Sequence, residues 1–298
     1  MCQLSRRTFL AAATLGLVRN CDARVEEAVI VDSHVHCFAG VEDKTYPYHV
    51  NAPYRPDKAL TPEFLLKSMD AAGIQHAIVV HPEPYQDDHR YLEYCLKIGA
   101  KRLKGTCLFF ADQPNAIDRM KKLCRSAPIV AARVHAYAMK RLPPFGKKSF
   151  ADYWRAAGEQ GLALQLHLDP PYAAGFEPYI KQYSDFRVII DHYGWPTHGN
   201  PNQYETIVHW SRFPHVVLKL SSIPHEKDEP KIKELVRRVA NQFGPERMLY
   251  GGGFQEGVTA ASYRAERERL VASLPDWTAK DVARVMGGNA VKWFGFDG

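Results

Sequence analysis

At 298 residues, with 46% apolar and 24% charged side chains, the chain can bury a sizeable core and has an ordinary globular composition. A net charge of +6 without an arginine-rich tract or zinc-finger spacing argues against nucleic acid and mildly favours an anionic small-molecule substrate.

The first 28 residues stand apart from the rest. Ser5-Arg6-Arg7-Thr8-Phe9-Leu10 ahead of the apolar run Ala11–Val18 reads as a twin-arginine export signal, which would carry a folded, cofactor-loaded chain to the periplasm. That run is too short for a stable membrane span. Of the cysteines beyond it, Cys37, Cys95, Cys107 and Cys124 form no CxxC pair, so buried free thiols are expected rather than a disulfide framework.

From residue 29 onward, short β-branched runs alternate with amphipathic segments. Strands are predicted at 29–35, 76–81, 104–110, 129–135, 162–167, 187–192, 216–221 and 247–251. Helical patterns lie between them, the first over 61–72, with Thr61 as N-cap, Pro62 at the first helical position and Gly73 as the stop. The others are predicted over 89–99, 114–126, 149–161, 174–183, 203–213, 230–243 and 260–274. Eight strand-then-helix units over 29–298 predict a (β/α)8 TIM barrel, and Thr278–Phe296 reads as two extra helices broken at Gly287-Gly288 and packed on the barrel wall. No glycine-rich phosphate loop follows any strand, which disfavours nucleotide binding.

Alternation then places side chains. In a closed barrel every second strand residue points inward, and chemistry gathers at the carboxyl ends of the strands. That rule turns Asp32, His34 and His36 inward from strand 1 and ends strand 2 at His81. It sends in Arg133 and His135 from strand 4, Gln165 and His167 from strand 5, His192 from strand 6, and Lys219 and Ser221 from strand 7. Six of the eight strands thus aim ionisable groups at one mouth. A histidine pair two residues apart on one strand face is how a barrel offers two metal ligands.

The segments VDSHVHCF (31–38), LQLHLDP (164–170), VIIDHYGWP (188–196) and VVLKLSS (216–222), in this order, resemble the amidohydrolase superfamily, in particular the amidohydrolase-2 branch of sugar-lactone and pyrone-dicarboxylate lactonases. The resemblance implies a hydrolase of a small, acidic lactone or related cyclic ester. It also implies metal ligands at His34, His36, His167 and His192 for a divalent ion such as zinc, although some lactonases of the branch dispense with metal. A metal-dependent decarboxylase of the same branch and a binding protein without turnover are the competing readings. One departure stands out: family members end strand 8 in Gly-Ser-Asp, whereas Gly251-Gly252-Gly253 puts a glycine in the aspartate's place. Glu256 is the first candidate to substitute, ahead of Asp169, Glu83 and Asp191. His81, Arg133, His135 and Lys219 are expected to contact substrate, Tyr137 joining Arg133 and His135 around an anionic group, with Tyr85 and Trp195 shaping the pocket. The oligomeric state is open, with a homo-oligomer possible.

Overall fold

A computed structural model describes residues 28–221 and 229–297. The expected export segment therefore lies outside the described residues, apart from Ala28. Eight strands run in chain order, β1 (Val31–Val35), β2 (His76–Val80), β3 (Leu103–Leu108), β4 (Ile129–Ala136), β5 (Ala163–Leu168), β6 (Val188–Ile190), β7 (Val216–Leu220) and β8 (Met248–Tyr250), each paired in parallel with the next. Helices follow the strands as α1 (Pro62–Ala72), α2 (Arg90–Gly99), α3 (Ala116–Ser126), α4 (Lys148–Glu159), α5 (Glu177–Gln182), α6 (Pro201–His209), α7 (Glu229–Phe243) and α8 (Ala260–Ser273). This is the predicted (β/α)8 barrel. Helix α1 begins and ends as its sequence dictates: the Thr61 side chain accepts from Phe64 N–H, Pro62 opens the first turn and Gly73 closes it with φ 73°. Among the described residues no helix is long and apolar enough to cross a membrane.

The seam between β8 and β1 is closed by side chains. Ser33 Oγ donates to Tyr250 O at 2.5 Å, and Asp32 Oδ1 accepts the Gly252 N–H at 2.7 Å. A Cβ on Gly251 would stand 2.9 Å from His34 N and from Ser33 Oγ, so only glycine permits this approach. Asp32 is thereby taken from the barrel interior. Its register partner is Ala77 and that of Val35 is Val79, three residues against two, so β1 carries a bulge between them. Val31 packs in the interior layer while Val35 packs under the helices. The bulge resets the alternation so that His34 and His36 still reach the mouth while Asp32 does not.

Beneath the mouth, Val31, Ile78, Val80, Ala131, Ala163, Ile189, Val217 and Leu249 fill the barrel's lower interior. The tail, α9 (Ala279–Ala283), a π-turn over Arg284–Gly288 and α10 (Asn289–Phe294), runs through the two glycines without a break. Gly287 is there because a Cβ would fall 1.8 Å from Val29 O. Rather than lining the outer wall, the tail closes the floor: Ala290, Phe294 and Phe296 join the interior layer, and Asn289 Nδ2 donates to Pro245 O at 2.7 Å and to Met248 O at 2.9 Å.

Candidate active site

A cavity of about 680 Å³ opens at the carboxyl ends of the strands, within the size range of small-molecule sites. His34 from β1 and His36 just beyond it, Arg133 from β4, His167 from β5, and His192 and Trp195 beyond β6 line it, together with Tyr54, Glu83 and Tyr137 from loops and Glu266 and Arg269 from α8. Four of the predicted groups therefore meet as expected: His34, His36, His167 and His192.

Each imidazole's tautomer follows from what its other nitrogen touches. His36 Nδ1 lies 2.7 Å from Val80 O, which can only accept, so Nδ1 carries the proton and Nε2 a bare lone pair. His192 Nδ1 sits 3.3 Å from Ser221 O and 3.0 Å from Ser221 Oγ, which likewise leaves its Nε2 free. His34 Nδ1 faces Asp191 Oδ1 at 3.5 Å while its Nε2 stands 3.3 Å from His36 Nε2. Protonating His34 at Nε2 would set a lone pair against the Asp191 carboxylate; protonating it at Nδ1 sets two lone pairs together. A cation between His34 and His36 relieves both conflicts. On a tetrahedral zinc with bonds of about 2.0–2.1 Å, neighbouring ligand nitrogens stand about 3.3 Å apart, the separation found here. Backbone, carboxylate and hydroxyl partners on the far nitrogens are the usual supports of metal-binding imidazoles. The His34–His36 pair fits a divalent ion, and the His192 ring, its centroid 4.4 Å from that of His34, stands beside it.

His167 does not fit that set. Arg133 Nη2 donates to His167 Nδ1 at 2.7 Å, so the neutral ring carries its proton on Nε2. It therefore offers the cavity a donor, not a ligand. Ligand atoms of Asp191, His34 and His192 lie within 4.8 Å of one another. The Asp191 oxygens, however, are already engaged by Lys219 Nζ at 3.2 Å, Arg133 Nε at 3.1 Å and Gln165 Nε2 at 2.9 Å, which makes it the support beneath the site.

Burial and neighbouring charge keep the imidazoles neutral. Burial, reinforced by Arg133, lowers His36 to about 3, and burial lowers His192 to about 4 against the pull of Asp191. His34 and His167 fall well below 6.5, burial again leading. Burial alone would raise Asp191, but Lys219, His34 and Arg133 together hold it well below the usual carboxylate range. Lys219 is lowered by burial despite its pairing with Asp191.

The remaining predicted residues separate. Arg133 reaches the cavity with Nε and Nη2 already engaged, and Lys219 is sealed beneath with Asp191. His135 is buried with Nδ1 3.3 Å from Glu83 Oε2. His81 continues β2 with the outward parity of Ala77 and Val79, stacks on the His89 ring at 4.2 Å and sets Nε2 2.8 Å from Gln86 O. It is thus outside the cavity it was expected to line. Glu256 is exposed and pairs with Lys58 at 2.5 Å on the surface. Asp169 pairs with His198 at 2.9 Å.

What occupies the place of the absent strand 8 carboxylate is an aromatic ring. A Cβ on Gly253 would meet Tyr263 Cδ2 at 2.6 Å and Cε2 at 2.7 Å, and the Tyr263 hydroxyl donates to Asp32 Oδ2 at 2.6 Å. Two carboxylates line the cavity: Glu266 on α8, which pairs with Arg269 at 2.9 Å, and Glu83, buried after β2. It accepts from the Tyr137 hydroxyl and pairs with Arg141 Nε at 2.6 Å and with His135. Burial works to raise it, but His135, Tyr137 and Arg141 outweigh burial and hold it below its usual value, ionised at neutral pH.

Among known proteins, an amidohydrolase family model matches residues 31–296. An L-fucono-1,5-lactonase from Burkholderia ambifaria is 25% identical, the match covering 90% of this chain and 96% of that protein. The structure of a probable 2-pyrone-4,6-dicarboxylic acid hydrolase from Acinetobacter baumannii, with citric acid bound, superposes with a TM-score of 0.76 at 17% identity, covering 90% of this chain and 99% of that one. A zinc-bound amidohydrolase from Burkholderia multivorans gives 0.69 at 15% identity, covering 91% and 100%.

Proposed function

Since the chain belongs to the amidohydrolase family, we propose that it is a hydrolase that opens the ring of a small, acidic lactone, with a divalent ion such as zinc bound by His34, His36 and His192. The observation that carries this reading is the pair of His34 and His36 Nε2 atoms, 3.3 Å apart, in a cavity of small-molecule size that His192 and the buried Glu83 also line. The fuconolactonase and the pyrone-dicarboxylic acid hydrolase support the substrate class, and the zinc-bound relative supports the ion.

When bound, such an ion polarises an ester carbonyl and acidifies water. The protein's own groups do the rest. His167 Nε2–H donates to the carbonyl oxygen as charge develops on it. Glu83 accepts one proton of the attacking water and returns it to the ring oxygen as the C–O bond breaks, giving a hydroxy acid whose carboxyl then releases its proton to solvent. Arg133 presents Nη1 to the substrate's carboxylate, its other nitrogens being fixed by Asp191 and His167. Trp195, on the loop carrying His192, gives the ring an apolar wall.

The test is a panel of acidic sugar lactones and pyrone carboxylates assayed by proton release on protein of measured metal content. Ring opening, metal bound in the parent and its loss in His36→Ala are the expected results. Release of carbon dioxide from the same acids would assign a decarboxylase instead, and full activity in a metal-free His36→Ala protein would remove the ion from the proposal. We further place the activity in the periplasm, on the strength of Arg6-Arg7 and the apolar run after it. Arg6→Lys with Arg7→Lys is expected to retain the protein in the cytoplasmic fraction.

A further inference from the structure

Glu83 lines the active-site cavity but keeps little of its carboxylate free for it. Oε1 is fully buried and pairs with Arg141 Nε at 2.6 Å. Oε2 accepts from the Tyr137 hydroxyl and faces His135 Nδ1 at 3.3 Å. Of these three partners only Tyr137 is on the wall of that cavity; His135 and Arg141 face a separate one of about 410 Å³ beyond β3 and β4. Tyr137 follows β4 half-buried, with its ring centroid 5.1 Å from that of His167. One phenol therefore adjoins both the carboxylate and the imidazole assigned to the substrate carbonyl.

A phenol has one proton, and its oxygen accepts as well. The ionised Glu83 can only accept, so the Tyr137 proton is held by Oε2 and the phenol can serve any further neighbour only as an acceptor. Arg141 stands beside the same oxygen and can use one lone pair, which leaves the second for a donor in the cavity. An ionised substrate carboxylate has no proton to give. Two donors remain, a water and a substrate hydroxyl, and the water is the one that ring opening needs beside Glu83. Other polar groups on the wall are unsuited to take its proton: His167 presents Nε2–H, Arg133 is a cation, and Glu266 is paired with Arg269 at 2.9 Å.

Resting on the lactone-hydrolase reading, we propose that Tyr137 is a catalytic residue that stands between the attacking water and Glu83 and relays the proton between them. As the water oxygen bonds to the carbonyl carbon, one water proton moves to the phenol oxygen while the phenol's own proton moves to Glu83 Oε2. As the ring C–O bond breaks, its electron pair stays on the ring oxygen. Glu83 then returns its proton to the phenol oxygen, and the phenol gives one to the ring oxygen. Tyr137 and Glu83 end as they began, and no phenolate accumulates. Burial and the adjoining carboxylate push the phenol's pKa up, so a concerted exchange avoids a costly anion.

The experiment uses the full chain with the metal it carries when purified, and a lactone of the panel that it opens. Single-turnover rates in mixtures of H2O and D2O count the protons that move in the chemical step. The parent should give a bowed dependence on deuterium content, as two protons in flight require, and a linear one would overturn the relay without any variant. Tyr137→Phe keeps the ring against His167. It should lower kcat by about 100-fold or more, with KM within about threefold, metal content unchanged and a residual rate linear in deuterium. A kcat within about threefold of the parent would overturn the relay. So would a raised KM at unchanged kcat, which would assign the phenol to a substrate hydroxyl. A slow Tyr137→Phe that keeps the parent's bowed dependence would overturn it too, because Tyr137 would then only hold Glu83 in place. In each of these cases the parent still opens its lactone, so the relay fails while the hydrolase reading stands; a parent that opens none of the panel fails both.

Discussion

At the residue scale the decisive group is Glu83, because strand 8 supplies no carboxylate and Glu83 is the buried one on the cavity wall, the other, Glu266, being half-buried and paired with Arg269. Glu83→Gln keeps the shape and removes the base, so kcat should fall by about 10²–10⁴-fold with KM little changed. Stopped-flow or pH-stat assays of the lactone that the parent opens would read this; a variant within threefold of the parent would remove Glu83 from the chemistry. Sequence alone pointed elsewhere, to Glu256, because nearness along the chain was the only ruler available; the fold carries Glu256 to a surface pair with Lys58. Of the histidines, His167 is legible from strand parity, whereas His34 and His36 reach the mouth past a bulge in β1 and His192 through the turn after β6. Their neutrality has a measurable consequence in the metal-free protein. His36 and His192 protonate near 3 and 4 when folded but near 6.5 when unfolded. Between pH 6.5 and about 4 the unfolded chain therefore binds more protons, and stability must fall as pH falls through that window, by up to about 1.4 kcal/mol per unit for each group. Thermal melts should show a shallower slope from pH 6.5 to 4 in His192→Asn than in the parent, and equal slopes would contradict it.

At the element scale, the period-two rule succeeds along β4, β5 and β7 and fails at β1 and β6, and both failures have backbone causes. The β1 bulge shifts Asp32 into the seam. In β6 it is Ile189 that packs in the interior and Ile190 that packs outside, so the parity that brings Asp191 inward would send His192 out. His192 is returned by the left-handed turn that follows, where His192, Tyr193, Gly194 and Trp195 have φ of 52°, 57°, 74° and 48°. For residues other than glycine such a conformation costs on the order of 1–3 kcal/mol each and persists only where packing over-determines it. Composition gave no sign of it beyond Gly194. The same packing bears on the missing aspartate. Gly253→Asp would drive its Cβ into the Tyr263 ring, so this change should lower stability without raising activity. Tyr263→Phe instead removes a hydrogen bond to the buried Asp32 carboxylate and should cost about 1.5–3 kcal/mol in denaturant titrations. A gain of activity in Gly253→Asp would mean that Tyr263 yields readily and that a carboxylate at the end of β8 is usable.

At the scale of the whole molecule, the barrel is divided between a polar mouth and an apolar floor, and the tail belongs to the floor. Lys104 Nζ donates to Phe294 O at 2.5 Å and to Gly295 O at 2.7 Å, and His76 Nε2 lies 3.0 Å from Asp297 O, so the tail is tied to the amino ends of β2 and β3. The sequence revealed an apolar tail but not its destination, because an amphipathic helix fits a wall or a floor equally well. Phe294 distinguishes the two functions of the barrel. Its ring is 6% exposed against the interior layer, and truncating such a ring costs about 3–5 kcal/mol. For a chain of this size that is a fall in Tm on the order of 10 °C. The histidines hang from the opposite ends of the strands, with the interior layer between them and Phe294. Phe294→Ala should therefore melt early yet turn over substrate at 25 °C with kcat within about twofold of the parent, since a barrel that is still folded holds its mouth in place. A collapse of kcat at an unchanged Tm would show instead that floor and mouth are coupled through the barrel interior.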